Sequence, residues 1–400
     1  MVTGDDIMKN LINKLTAVIT ALVLICGSAM PAAAEEVSIS TSAKAAVVIE
    51  QKSGRVLYNQ NADWELPMAS TTKIMTAVVA LKYGNLDDVI EVSEAASMVE
   101  GSSMYLEKGE KITLENLVYG LMLVSGNDAA VAIAENVGGS VERFVEMMNE
   151  TAADLGLEHT HFDNANGLPS DTHYTTALEL AKITKYAMDI PKFCEIVGTK
   201  TKSVPWDGHE YNRELTNHNK LLGTLDGCVG VKTGYTQAAG RCLVSAVTRD
   251  DMTLICVTLG DPNDWADHTN LMNAMFEKYT QTELTHTDEV IDKIVVAGGL
   301  LGYTGVSPDK TYVFPVGESD DVRVDTSISE NITFPVKVGD SVGSGIVLVN
   351  GEKYGEFNLI ANSDIDLVMP SKENFWKKIK HNASYIFNYW LRLFSAIGNC

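Results

Sequence analysis

The sequence predicts an α/β (α+β) chain: an antiparallel sheet with flanking helices, followed by a small all-β domain. Three observations predict it. Short apolar strand-like runs open and close the first part of the chain, with helical patterns between them. Such distant strands pair in one antiparallel sheet that the helices cover. After Gln281 the texture changes to short β-rich runs separated by turns. Finally, 400 residues at 45% hydrophobic content carry enough apolar surface for full cores in about two domains, and argue against disorder.

Taken in order, residues 1–34 read as a secretory signal. Lys9 and Lys14 form a weak basic start, 15–29 is apolar, and Ala32-Ala33-Ala34 offers small residues for cleavage. The competing reading is a membrane anchor, for which the run is short. Runs 45–49 and 55–58 read as strands joined by Gln51-Lys52-Ser53-Gly54, a hairpin signal. Helical periodicity follows over 72–83, 114–124, 129–137, 141–155 and 176–188. Strands return at 229–233, 242–248 and 253–260, and a helix at 265–279. The runs 293–296, 311–316, 332–336, 345–349 and 357–360 read as a sandwich or barrel with no catalytic-looking cluster, a spacer or docking module. In the last segment Phe375, Ile379, Ile386, Trp390, Leu393 and Ile397 form one stripe, flanked by five basic residues against one acidic. This is an amphipathic helix, placed here at a membrane interface, the other reading being a helix docked on the protein itself. The expected division is 1–34 signal, 42–282 catalytic body, 283–370 β-rich domain and 371–400 anchor helix.

A formal charge of -22 excludes nucleic acid as a partner, because phosphate binding needs a basic footprint. The cysteines left after the signal, Cys194, Cys228, Cys242, Cys256 and Cys400, are sparse and irregular, which is neither a disulfide framework nor a metal motif. His159 and His161 read as loop residues. No metal or cofactor is expected.

Three short motifs carry chemistry. In Ser70-Thr71-Thr72-Lys73 the serine stands at a helix start and the lysine one turn later on the same face. A serine hydroxyl needs a base, and a lysine serves only when partly neutral, as burial and a second cation would make it. Alone, the pattern also fits an N-cap serine and a surface lysine. Ser125-Gly126-Asn127 lies between two helical runs. Ser125 can relay a proton to a leaving nitrogen, and Asn127 can hold a substrate amide and fix the lysine; taken alone, the pair reads as helix caps. Lys232-Thr233-Gly234 follows a strand signal. Lys232 would supply charge for a substrate carboxylate and depress the Lys73 pKa, and Thr233 would bond that carboxylate. Gly234 would clear space for a ligand against the strand, and the N–H of Tyr235 with that of Ser70 would form an oxyanion hole.

In this order and context the motifs resemble those of penicillin-recognising serine enzymes. Pro67-Met68-Ala69-Ser70-Thr71-Thr72-Lys73-Ile74-Met75-Thr76, Ser125-Gly126-Asn127-Asp128-Ala129-Ala130, Asn166-Gly167-Leu168-Pro169 and Lys232-Thr233-Gly234-Tyr235-Thr236 are similar to segments of the D-alanyl-D-alanine carboxypeptidases, serine peptidase family S11. The resemblance implies a β-lactamase/transpeptidase-like domain in an exported enzyme that trims the terminal D-alanine from peptidoglycan pentapeptides. It implies Ser70 as the acylated nucleophile, Lys73 as its proton acceptor, and Ser125 and Asn127 as assistants. Lys232, Thr233 and Gly234 would line the carboxylate side, and β-lactams would act as substrate mimics. The small domain would hold the body off the membrane.

Two departures stand out. His218 replaces an arginine that some relatives carry in an Asn-Arg-Asn-Gly-Leu-Leu segment, and Asp264-Trp265-Ala266 stands where some have Gly-Arg-Glu. Either Lys232 and Thr233 carry more of the carboxylate contact, or Arg241 or Arg213 substitutes. The nearest rival, a class A β-lactamase, needs a deacylating glutamate; Asp163-Asn164-Ala165-Asn166-Gly167 lies in its place. A catalytically silent wall-binding protein is the rival from another class, and the intact serine–lysine pair speaks against it.

Overall fold

The computed structural model describes residues 39–295, 303–329, 332 and 335–365. The signal-like segment 1–34 and the basic tail 371–400 lie outside the described residues.

Strands β1 (Ala45–Glu50) and β2 (Val56–Gln60) form the expected hairpin. A 3₁₀ turn, Ala69–Thr72, runs into helix α1 (Lys73–Tyr83). There follow β3 (Val89–Glu91), α2 (Glu94–Ser97), β4 (Lys111–Thr113), α3 (Leu114–Leu123), α4 (Asn127–Val137), α5 (Val141–Asp154), α6 (Ala177–Met188) and α7 (Pro191–Gly198). Then come β5 (Thr201–Val204), β6 (Arg213–Thr216), α8 (Leu221–Thr224), β7 (Cys228–Thr236), β8 (Gly240–Arg249), β9 (Met252–Leu259) and α9 (Asp264–Lys278). Local chemistry starts several of these helices. The hydroxyls of Ser93, Thr113, Ser140 and Thr176 each accept a hydrogen bond from a backbone N–H of the first turn, of α2, α3, α5 and α6 respectively.

The central sheet has the order β2-β1-β9-β8-β7, so strands about two hundred residues apart in sequence are neighbours, as expected. Ala45 lies opposite Leu259 and Glu50 opposite Leu254. All six residues of β1 are buried because both faces are covered. Ala45, Val47 and Ile49 join the large helical core, whereas Ser245 and Thr258 on the other face bond the buried His268 of α9. Strand β7 is one edge of this sheet and β2 the other.

The small domain is all-β among its described residues. It comprises β10 (Tyr279–Thr285), β11 (Asp292–Val295), β12 (Tyr303–Pro308), β13 (Tyr312–Gly317), β14 (Val322–Ile328), β15 (Ser341–Val349) and β16 (Glu352–Ala361). One sheet runs β11-β12-β16-β15-β14, and β10 pairs with β13. Val306, Val347, Phe357 and Leu359 lie in its compact core. Of the run 332–336, residues 333–334 lie outside the described residues; Val336 makes an antiparallel bridge with Ile365. The short hairpins β3–β4 and β5–β6 were not foreseen, because three or four residues carry too little periodicity. Among the described residues no helix is long and apolar enough to cross a membrane.

Arg55, just before β2, is clamped into the small domain. Its guanidinium donates to both carboxylate oxygens of Asp320 at 2.7 and 2.6 Å and to the Pro315 carbonyl, between the rings of Tyr279 and Phe314. Arg55 holds the Asp320 carboxyl well below the usual carboxylate range. Both side chains are buried, so removing one partner strands a charge. Asp320→Ala is expected to destabilise the protein by about 3–5 kcal/mol in urea unfolding. Because the folded pKa is depressed, this contribution is complete above the unfolded carboxylate pKa, near 3.9, and is lost as pH falls toward the folded one. An unfolding midpoint unchanged by Asp320→Ala at neutral pH would refute the clamp.

Candidate active site

The turn that carries Ser70 is held from two sides. Ala69 takes a left-handed φ of 49°, the Thr71 hydroxyl donates to the Met68 carbonyl at 2.6 Å, and the Thr72 hydroxyl donates to the Ala69 carbonyl at 2.8 Å. His173 supports Thr72 from behind. Its Nδ1 accepts from the Asp163 N–H at 3.0 Å, so Nε2 carries the proton and donates to Thr72 Oγ1 at 2.8 Å. Burial pushes the His173 pKa down to about 4, which keeps the ring neutral. On one side of the turn lies Gly167, at φ 87°, where a Cβ would stand 2.1 Å from the Ala69 carbonyl oxygen. On the other lies Gly234 of β7, where a Cβ would stand 3.0 Å from the Ser70 nitrogen and 3.1 Å from that of Thr71. The space that Gly234 leaves empty admits the backbone of the Ser70 turn, and Gly234 also lines the cleft.

Lys73 is fully buried, and its Nζ stands 3.1 Å from Ser70 Oγ, 2.8 Å from Asn127 Oδ1 and 2.5 Å from the Asn166 carbonyl. Its pKa lies well below the ordinary lysine value, first because of burial and next because of Lys232; Asp128 opposes both. A neutral amine has two N–H groups and one lone pair. The two carbonyl oxygens can only accept, so they take the two N–H groups. The lone pair is left facing the Ser70 hydroxyl, the geometry a general base needs.

Asn127 is the first residue of α4, and that helix has no side-chain cap, so neither Ser125 nor Asn127 plays the capping part that local sequence favoured. The Asn127 amide is occupied at both ends: its Oδ1 accepts from Lys73, and its Nδ2 donates to the Glu100 carbonyl at 2.6 Å. That favours fixing the lysine over holding a substrate amide. Ser125, at φ 62°, presents to the cleft a hydroxyl that makes no hydrogen bond among the described residues. Asp128 was missed by sequence reasoning. Its carboxylate accepts from the N–H groups of Met104 and Leu106 and from the Ser103 hydroxyl, tying segment 100–106 across the cleft. With Ser102 at the cleft wall, this strap carries no motif that could have revealed it.

Lys232 is only 1% exposed, its Nζ donates to the Thr233 carbonyl at 2.9 Å, and burial pushes its pKa down to about 7. Among the described residues no carboxylate pairs with Lys73 or Lys232. The cleft, about 270 Å³, is lined by Ser70, Ser102, Ser125, His218, Thr233, Gly234, Tyr235, Arg241, Asp264 and Trp265. The structure thus brings Ser70, Ser125, Thr233, Gly234 and Tyr235 to one cleft, with Lys73, Asn127 and Lys232 behind its wall. The only carboxylate in the lining is Asp264, which is bonded to Arg241. No glutamate stands there to activate water for rapid deacylation. Among the described residues no cluster of His, Cys, Asp and Glu fits a metal ion.

The family model for D-alanyl-D-alanine carboxypeptidase, peptidase S11, matches residues 30–263. The chain belongs to this family. Residues 279–367 of this S11 chain match the model for the C-terminal domain of penicillin-binding protein 5. The chain is 32% identical to the D-alanyl-D-alanine carboxypeptidase DacF of Bacillus subtilis, over 82% of this chain and 87% of the relative. It is 30% identical to the D-alanyl-D-alanine carboxypeptidase DacA of Escherichia coli, over 96% and 99%. Among solved structures, penicillin binding protein 5 from Haemophilus influenzae matches with a TM-score of 0.69 at 27% identity, covering 82% of this chain and 98% of that one. The Streptomyces K15 DD-transpeptidase matches with a TM-score of 0.57 at 35% identity, covering 60% and 98%. A serine acyl-enzyme and acylation by penicillin are general in the S11 family.

Gly167→Ala tests the support of the turn. An added methyl would collide with the Ala69 carbonyl in a backbone conformation that disfavours side chains, so a loss above about 1 kcal/mol is expected. Gly223→Ala, where a Cβ meets nothing within 4 Å, should leave the melting temperature unchanged or raise it slightly. Equal melting temperatures for the wild type and Gly167→Ala would show that the loop does not bear on the turn.

Proposed function

We propose that this chain removes the terminal D-alanine from peptidoglycan stem pentapeptides through an acyl-enzyme on Ser70, and that penicillin acylates the same hydroxyl. The observation that carries the reading is a buried amine 3.1 Å from a serine hydroxyl with no carboxylate to keep it charged. Lys73 takes the proton as Ser70 Oγ adds to the carbonyl carbon of the penultimate D-alanine. The N–H groups of Ser70 and Tyr235 receive the developing oxyanion. Lys73 returns the proton through the Ser125 hydroxyl to the nitrogen of the terminal D-alanine. The C–N bond breaks and an ester remains on Ser70. A water that gives its proton to Lys73 then hydrolyses the ester. In this scheme Asn127 fixes Lys73, Lys232 suppresses its charge, and Thr233 bonds the departing residue's carboxylate beside Gly234. With penicillin the leaving nitrogen stays tethered to the acyl group, and no cleft glutamate drives water onto the ester, so release is slow.

The test is covalent. Penicillin should add its own mass to the intact protein at one site, and Ser70→Ala should abolish the adduct; label surviving that substitution would defeat the proposal. The acylation rate should rise with pH through the Lys73 pKa, because only the neutral amine accepts the proton, and this rise should lie well below the ordinary lysine value. Lys232→Met removes a neighbouring positive charge, so the Lys73 pKa, and the rise with it, should move to higher pH.

Residues 42–282 serve in this reading as the catalytic body and 283–370 as its spacer, with strand β10 spanning the change. Export through the segment 1–34, and attachment to the membrane surface through the basic, aromatic stripe of 371–400, belong to the same proposal; both rest on sequence pattern. A protein ending at Pro370 should keep its activity on a soluble peptide and appear in the soluble fraction once the signal is cleaved. Continued sedimentation with membranes would rule out the tail as the attachment.

A further inference from the structure

A carboxypeptidase must recognise the free carboxylate at the end of its substrate. Three cations are candidates for that contact, and the structure separates them. Lys232 is enclosed behind the cleft wall and its ammonium faces the Thr233 carbonyl. Arg213 is spent elsewhere. Its guanidinium donates to both carboxylate oxygens of Glu110 at 2.8 and 2.9 Å and to the Tyr105 carbonyl at 2.8 Å, and lies 4.2 Å from the centre of the Trp206 ring; its side chain is 5% exposed. Arg241 is the third. Its side chain is 42% exposed, and it lines the same cleft as Ser70, Ser125 and Thr233. His218, where some relatives carry arginine, also lines the cleft. Burial and the charge of Lys232 lower its pKa, so it offers no cation there at neutral pH.

We propose that Arg241 binds the C-terminal carboxylate of the peptide, with Asp264 and Trp265 holding the guanidinium in place. This rests on the carboxypeptidase reading of the cleft. Arg241 pairs with Tyr235 across β7 and β8, one residue beyond Gly234, so its side chain leaves the sheet on the same face as Tyr235, beside the edge that presents Thr233. Its backbone is fixed on the far side, where the carbonyl accepts from the Asp261 N–H at 2.8 Å. Its Nη2 donates to Asp264 Oδ1 at 2.7 Å, an oxygen that also accepts from the Trp265 N–H at 2.8 Å. The Trp265 ring lies 5.8 Å from the guanidinium carbon.

A guanidinium carries five N–H donors. One hydrogen bond and one ring contact orient Arg241 without saturating it. A carboxylate entering between Thr233 and Arg241 meets a hydroxyl on one strand and a planar cation on the next, an arrangement that favours two-point binding. Asp264 neutralises the cation while the cleft is empty, so an isolated small anion gains less there than a peptide end that also engages Thr233. Arg241 is thus a specificity residue for a free carboxyl terminus.

The experiment compares an N-acylated Lys-D-Ala-D-Ala peptide with the same peptide carrying a C-terminal amide. The wild type should favour the acid. Arg241→Gln should lower kcat/KM for the acid by about 10- to 100-fold, the scale of a hydrogen bond to a charged group, leave the amide nearly unchanged, and so collapse the preference. Arg241→Lys should restore part of it. An unchanged acid-to-amide ratio in Arg241→Gln, or equal losses on both peptides, would overturn the assignment. If Arg241→Gln does not fold, Arg241→Lys decides by itself: a reduced preference supports the contact and an unchanged one refutes it. A wild type that cleaves neither peptide would overturn the carboxypeptidase reading and this inference with it. An active wild type with an unmoved ratio would overturn the inference alone.

Discussion

A lysine ammonium in a closed site without a counter-ion costs several kcal/mol, and the cheapest response is to lose the proton. Lys73 is in that position, and the catalytic body is organised around it. Two carbonyl-type acceptors occupy its N–H groups, a second buried lysine raises the cost of its charge, and the one nearby carboxylate, Asp128, is engaged by a loop. Protonating Lys73 would call for a third acceptor, and among the described residues its remaining partner is the Ser70 hydroxyl, the group the proposed mechanism has it deprotonate.

The same constraint explains the crowding around the nucleophile turn. A base acts on a serine only while their separation is kept, so motion between turn and helix has to be suppressed. Two glycines supply the approach: loop 163–169 and strand β7 close on the turn from opposite sides with no side chain between. The relay from His173 through Thr72 to the Ala69 carbonyl stiffens it from below.

Much of this was legible in the sequence, and the remainder has a physical reason for being hidden. The spacing of Ser70 and Lys73 at a helix start, and Lys232-Thr233-Gly234 on a strand, follow from local periodicity. The pairing of β1 with β9 follows from strands placed at both ends of a helical stretch. The acceptors that hold Lys73 and Asn127 were not legible, because the carbonyls of Asn166 and Glu100 belong to the backbone and carry no residue signature. Asn127 was ambiguous for a related reason: an amide beside a helix start reads as a cap until tertiary structure brings a lysine to it. The choice between Arg213 and Arg241 was likewise closed to sequence, since it turned on which guanidinium Glu110 had already claimed. Asn166-Gly167 did carry a cue, an Asn-Gly turn signal, though not what the glycine would lean against.

Helix α9 begins at the cleft with Asp264 and ends at Lys278, directly before the first strand of the small domain. Its fifteen residues make a rod of about 22 Å. Together with the separate grip of Arg55 on Asp320, it joins the two bodies at more than one place. A swing of one body against the other therefore has to break a buried, doubly hydrogen-bonded ion pair. Under the proposed function, fitting an uneven polymer mesh would then fall first to the slack of the peptide, before that pair gives way.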